Sequence, residues 1–117
     1  GFMWQDFEKR MIAKDMKYDF LSAMLDNQKL KRLSGNLNND LGCELEIEKL
    51  QNENQNKIDL HFMVKMIDNF YSEIENLIIP INFAYCYCIK KLAGYKSEEL
   101  ESFRLKLINF SKATLKQ

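Results

Sequence analysis

Proline and glycine are scarce in this 117-residue chain: Pro80 stands alone and there are four glycines. With so few breakers, hydrophobic periodicity decides the organisation, and that periodicity is helical. Histidine occurs once, at His61, so any Ser-His or Cys-His catalytic pair would have to use that one imidazole. No glycine-rich phosphate loop and no dinucleotide fingerprint is present. Net charge is zero, which removes the broad basic footprint of a nucleic-acid binder. The basic stretch "KLKR" at 29–32 and the lysines of the last helix are not interleaved with exposed aromatics, so nucleic acid is not expected as a partner.

Long apolar runs are also missing. The longest stretch, 77–89, contains Pro80 and Asn82 and falls short of the roughly 20 residues that a membrane span needs. It reads as a central core helix, and the chain is not expected to span a membrane. The opening Gly-Phe-Met-Trp-Gln-Asp lacks a basic n-region and an apolar run, so no secretory signal is expected there. A Gly1 in place of Met also suits a segment of a longer protein. Cysteine is limited to Cys43, Cys86 and Cys88. An odd number in a chain of this kind argues against a disulfide scaffold and predicts reduced thiols in the cytoplasm.

What is present is ample core material. Apolar residues make up 46% and charged residues 29%, so one domain over 1–117 can bury a core without staples. Charge is uneven along the chain. Residues 1–35 carry 7 basic and 5 acidic groups, residues 36–79 carry 3 and 9, and residues 80–117 carry 7 and 3. An acidic middle and a basic end are what two complementary packed segments would show.

The expected fold is all-α, a bundle of four main helices with a short fifth. The first helix covers about 3–33 and ends in the turn-rich "SGNLNNDLG" of 34–42. A short helix begins at Cys43, because Cys43, Ile47 and Leu50 share a helical face and a lone strand would lack a partner. The polar "QNENQN" of 51–56 serves as a connector or a frayed helix end. The second main helix runs from about 57 to 79, up to Pro80. The third covers about 81–93 and stops at Gly94. Ser97 caps the fourth, about 98–116, with Glu98, Glu99 and Glu101 early and Lys112 and Lys116 late, matching the helix dipole.

In the second main helix, Leu60, Met63, Val64, Met66, Ile67, Phe70, Tyr71, Ile74, Leu77 and Ile78 share one arc, with Asp68, Asn69 and Asn76 opposite. The last helix shows a main stripe of Leu100, Phe103, Leu107, Phe110 and Thr114 and a lesser one of Leu105, Ile108 and Leu115. The first helix has two stripes. One holds Met3, Trp4, Phe7, Met11, Tyr18, Leu21 and Leu25; nearly opposite lie Ile12, Met16, Phe20 and Met24.

Cys43, Cys86, Cys88 and His61 have the inventory of a structural zinc site but not its geometry. Two residues apart on a helix means about 200° of rotation, so Cys86 and Cys88 diverge. No metal, no cofactor and no catalytic residue is expected. The acidic clusters Glu44/Glu46/Glu48 and Glu98/Glu99/Glu101 read as solvated faces and dipole compensation.

By elimination, the expected function is a non-enzymatic protein–protein interaction module whose partner is a second copy of itself or another protein. Its contact residues are Ile12, Met16, Phe20 and Met24, with Met supplying an adaptable surface. The alternatives are a small-molecule-binding bundle with an apolar pocket near Tyr85, Tyr87 and Cys88, and a small inhibitor or immunity-type protein acting through its acidic middle.

Overall fold

A computed structural model describes Trp4 and residues 13–33, 43–54 and 59–115. Among the described residues the chain is all-α, with five α-helices and no strand. They are α1 (Ala13–Leu33), α2 (Glu44–Asn54), α3 (Leu60–Phe70), α4 (Ile81–Leu92) and α5 (Ser97–Leu115), with a 3-10 turn at Ile74–Ile78. Of the expected first helix, residues 3 and 5–12 lie outside the described residues, and Trp4 sits in a 3-10 turn rather than an α-helix.

The centre of the bundle is α4. It meets α3, α5 and α2, while α1 packs on α3 and the 3-10 turn packs on α5. Such a position requires a helix that is apolar nearly all round, and α4 buries Ile81, Ala84, Tyr85, Cys86, Cys88 and Ile89. This is why "NFAYCYCIKKLAG" shows no polar face. No described helix is long and apolar enough to cross a membrane.

Local chemistry sets the helix ends. Asp59 caps α3, accepting from the His61 backbone N–H at 2.9 Å. Gly94, at φ +96°, closes α4: Tyr95 N–H donates to the Lys90 carbonyl and Gly94 N–H to the Lys91 carbonyl, the paired bonds of a Schellman end. At the start of α5, Ser97 is already helical, so the cap lies one residue earlier than its hydroxyl suggested. There Glu99 reaches back to accept from the Lys96 N–H at 3.1 Å.

The expected continuous helix over 57–79 is broken after Phe70. The reason is a competing set of hydrogen bonds. Asn76 Nδ2 donates to the Phe70 carbonyl at 2.8 Å, Ser72 Oγ donates to the Asn69 carbonyl at 2.6 Å, and the Tyr71 hydroxyl donates to the Ile79 carbonyl. The first two take up carbonyls at the end of the helix, the third ties that end to the residue after the turn, and the chain re-forms as a 3-10 turn. The break rotates the face that follows. Ile74, expected in the core, is 83% exposed, and Asn76, expected on the polar side, is buried.

A second correction concerns α5. Its buried face holds Leu100, Leu107, Ile108 and Ser111, with Phe103 half-buried. Phe110 is 58% exposed and Thr114 is exposed, so the core direction lies between the two expected stripes. Phe110 still meets Phe83 edge-on, with centroids 5.9 Å apart.

The third correction is covalent. Cys43 and Cys86, expected as reduced thiols, form a disulfide with Cα atoms 5.6 Å apart. The rotation argument separated Cys86 from Cys88 correctly but said nothing of Cys43. The short helix α2 lies along α4, so Cys43 at its N-terminal edge meets the side of α4 that carries Cys86. Cys88 is a free, buried thiol.

Candidate functional site

Two places collect the residues singled out by the sequence: one shoulder of α1, and a cavity between α3, α4 and α5. On α1, Leu21 and Lys17 are buried against the core. A lysine reaches such a place only with a partner. Here Lys17 Nζ donates to Asp68 Oδ1 of α3 at 2.7 Å. Trp4, 2% exposed, donates from Nε1 to the same oxygen at 2.8 Å, and the Lys17 ammonium lies 5.4 Å from the Trp4 ring centroid. Asp68, expected on the solvent face of α3, is therefore the polar anchor between the two helices. His61, about two turns earlier, is exposed and stacks on Tyr18 of α1 at 4.4 Å.

Met16, Phe20 and Met24 are half-buried and pack against the core cluster. Ile12 lies outside the described residues. At 100° per residue these three run along one side of the Lys17–Leu21 line, and Tyr18 and Leu25 run along the other. The two expected stripes of the first helix are thus the two shoulders of one broad inward face. Asn27, exposed, continues the shoulder's own line, and beyond it come exposed Ala23 and then exposed Asp19 and Asp26.

The second place is a cavity of about 150 Å³. Its apolar wall is Met66 and Phe70 of α3 with Tyr87 of α4, the Phe70 and Tyr87 ring centroids being 4.8 Å apart. The rest of its lining is polar and charged, including Glu73, Asn76, Lys91, Glu101 and Arg104. The cavity expected near Tyr87 and Cys88 exists, but its lining is not apolar. Tyr85 does not line it, being buried on another side of α4.

Arg104 organises the charged side. Its Nε and Nη2 donate to the two carboxylate oxygens of Glu101 at 3.0 and 2.6 Å, a forked pair one turn apart on α5. Nη1 donates to Asn76 Oδ1 at 3.0 Å and to Glu75 at 3.4 Å, with Glu73 at 3.7 Å. The forked hydrogen bond holds the guanidinium above its ordinary pKa and the Glu101 carboxyl below its own.

Burial, not a charge partner, governs the thiol and phenols nearby. Cys88 is pushed up to about 12 by desolvation and Tyr85 to about 12 by the same cause, and Tyr71 is raised further in the same direction. Cys88 is therefore a neutral thiol at neutral pH, a poor nucleophile despite its place on the cavity wall.

Of the two acidic clusters, Glu46 departs from expectation. Its carboxylate faces inward, accepting from the Tyr95 hydroxyl at 2.7 Å and Lys90 Nζ at 3.1 Å. The Tyr95 hydrogen bond leads the causes that hold Glu46 below the usual carboxylate range. Lys90 in turn lies 4.9 Å from the Tyr95 ring centroid and 5.1 Å from that of Phe103. Among the described residues no group of three or more His, Cys, Asp or Glu side chains could hold a metal ion.

Sequence reading missed Lys17, Asp68, Asn76 and Arg104. The Glu101–Arg104 spacing of three was a legible signal for a helical ion pair. Nothing in the local pattern marked Lys17 or Asn76, since their partners come from other elements. Set against known proteins, the chain matches no family model, no curated protein and no solved structure.

Proposed function

We propose that this chain is a non-enzymatic helical interaction module that meets a protein, either a second copy or a different chain, through the Met16–Phe20–Met24 shoulder of α1. The observation that carries the reading is the partial exposure of three large apolar side chains, one per turn, on a helix otherwise seated on α3. From Met16 to Met24 the strip runs about 12 Å at 1.5 Å per residue. Exposed Ala23 leaves room beside it for a partner to approach closely. Asp19 and Asp26 give it an acidic outer edge. The complementary partner presents an apolar ridge with a basic rim. A photo-cross-linking residue at position 20, compared with one at exposed Ser102, should capture a second chain from position 20 alone. Equal capture from both positions removes the reading.

A second reading is favoured by the cavity beside Tyr87 and Cys88: the bundle holds a small molecule. Its mixed lining of Glu73, Lys91 and Arg104 over an aromatic wall suits a polar compound of about benzene size, since an empty volume near 150 Å³ takes a ligand of that bulk. Native mass spectrometry after gentle purification separates the two readings, as a small added mass or as a doubled one.

Cytoplasmic placement rested on three reduced thiols. With Cys43 and Cys86 bonded, that reasoning no longer supports it, and an oxidising compartment is where such a bond persists.

A further inference from the structure

From Glu44 to Leu50, helix α2 turns two apolar side chains inward, Leu50 fully and Ile47 partly, while Leu45 is 80% exposed. By comparison, α3 buries Met63, Val64, Ile67 and Phe70 within residues 63–70. Glu46 gives α2 a polar clip to Lys90 and Tyr95 of the α4 side. Its next four residues, Gln51, Asn52, Glu53 and Asn54, offer no apolar side chain.

Beside these contacts stands one covalent bond placed at the helix start. The Cys43 carbonyl accepts from the Ile47 N–H at 3.0 Å, so Cys43 is the residue from which α2 grows. Its sulfur is bonded to Cys86, in the middle of α4 and 43 residues away. Both cysteines are buried. Cys88 cannot take over as the partner, because it leaves α4 about 200° from Cys86.

We propose that the Cys43–Cys86 disulfide is a redox-operated latch on α2. Oxidised, it holds α2 across the Cys86–Lys90 side of α4. Reduced by a dithiol, it lets α2 undock and uncovers that side. In the step, a dithiol thiolate attacks one sulfur and the S–S bond breaks. The second dithiol sulfur closes the donor into its own disulfide. Two electrons and two protons pass to the protein, and Cys43 and Cys86 become thiols. The reductant reaches the buried bond when α2 lifts from α4, a local opening rather than a global one.

Hydrogen–deuterium exchange with mass spectrometry on the full chain decides this. The samples are the oxidised protein, the protein treated with dithiothreitol under native conditions, and Cys43→Ser. The expected result is exchange ~10-fold or more faster across 44–54 in the reduced protein and in the variant, with α3 and α4 protected as before. Four results overturn the proposal. One is unchanged exchange in α2 after reduction. Another is a common acceleration of all helices, which would make the bond a global staple. A bond that dithiothreitol leaves intact in the folded protein is the third. The last is three free thiols in denaturant without any reductant.

Discussion

Arg104 Nη1 donates to the Asn76 side-chain oxygen at 3.0 Å, joining two residues 28 positions apart. The other end of the same carboxamide donates to the Phe70 carbonyl at the end of α3. One buried asparagine thus closes α3, fixes the 3-10 turn and seats α5. Asn76→Ala removes a partner from both groups, and a buried group left unsatisfied costs about 1–3 kcal/mol. Chemical denaturation should show a lower midpoint with an unchanged m-value. An unaltered midpoint would mean that the turn is held by its apolar residues alone.

The break after Phe70 separates two isoleucines that a continuous helix would place alike. Ile67 is fully buried, so Ile67→Ala should cost about 2–5 kcal/mol. Ile74 is exposed, and Ile74→Ala should change stability by no more than about 0.5 kcal/mol. Similar losses at both positions would restore the uninterrupted helix and place Ile74 in the core.

Trp4 is the chain's single tryptophan, so intrinsic fluorescence reports on its seat without interference. Buried and bonded to Asp68, it should emit at short wavelength and resist quenching by acrylamide. Asp68→Ala should red-shift the emission and raise quenching while circular dichroism stays close to that of the parent. A red, readily quenched signal in the unmutated chain would contradict the Trp4–Asp68–Lys17 anchor.

Alkaline pH should unfold the protein early. Cys88 titrates ordinarily near 9.0 and the tyrosines near 10.0, whereas in the fold Cys88 and Tyr85 are both raised to about 12. A raised folded-state value means that the unfolded chain releases these protons first. Their contribution to stability is complete below the unfolded value and is lost as pH rises towards the folded one. Stability should therefore decline from about pH 9 upwards, and less steeply in Cys88→Ala, once that variant's own lower baseline is subtracted. A flat profile between pH 8 and 11 would contradict the burial of these groups.

Helix identity was legible in the sequence, because few breakers and long amphipathic stretches leave little else. Gly94 and Pro80 marked boundaries through backbone rules that act locally. The all-round apolarity of α4 announced a central helix. What the sequence hid depends on partners distant along the chain. The 57–79 stretch has helical periodicity throughout, and the Asn76 side chain overrides it by bonding back to Phe70. The α5 stripe was misjudged because a helix with two apolar sets does not state which angle between them faces inward. Met16, Phe20 and Met24 were singled out as apolar, yet their half-buried state follows from where Lys17 settles, and Lys17 settles by its bond to Asp68. The Cys43–Cys86 pairing was hidden likewise, since an odd cysteine count speaks to the whole set and not to any pair.

The interaction shoulder of α1 is tested most directly by Phe20→Glu, followed by size-exclusion chromatography with light scattering and by circular dichroism. Phe20 lies at the middle of the strip, part-buried, where a carboxylate spoils an apolar contact but can still reach water at the edge. The account predicts a variant that keeps its helical spectrum and loses the dimer, or loses the partner captured from position 20 in the parent chain. A parent chain that is monomeric and captures nothing, together with a Phe20→Glu variant that unfolds, would contradict it and return the shoulder to the internal core.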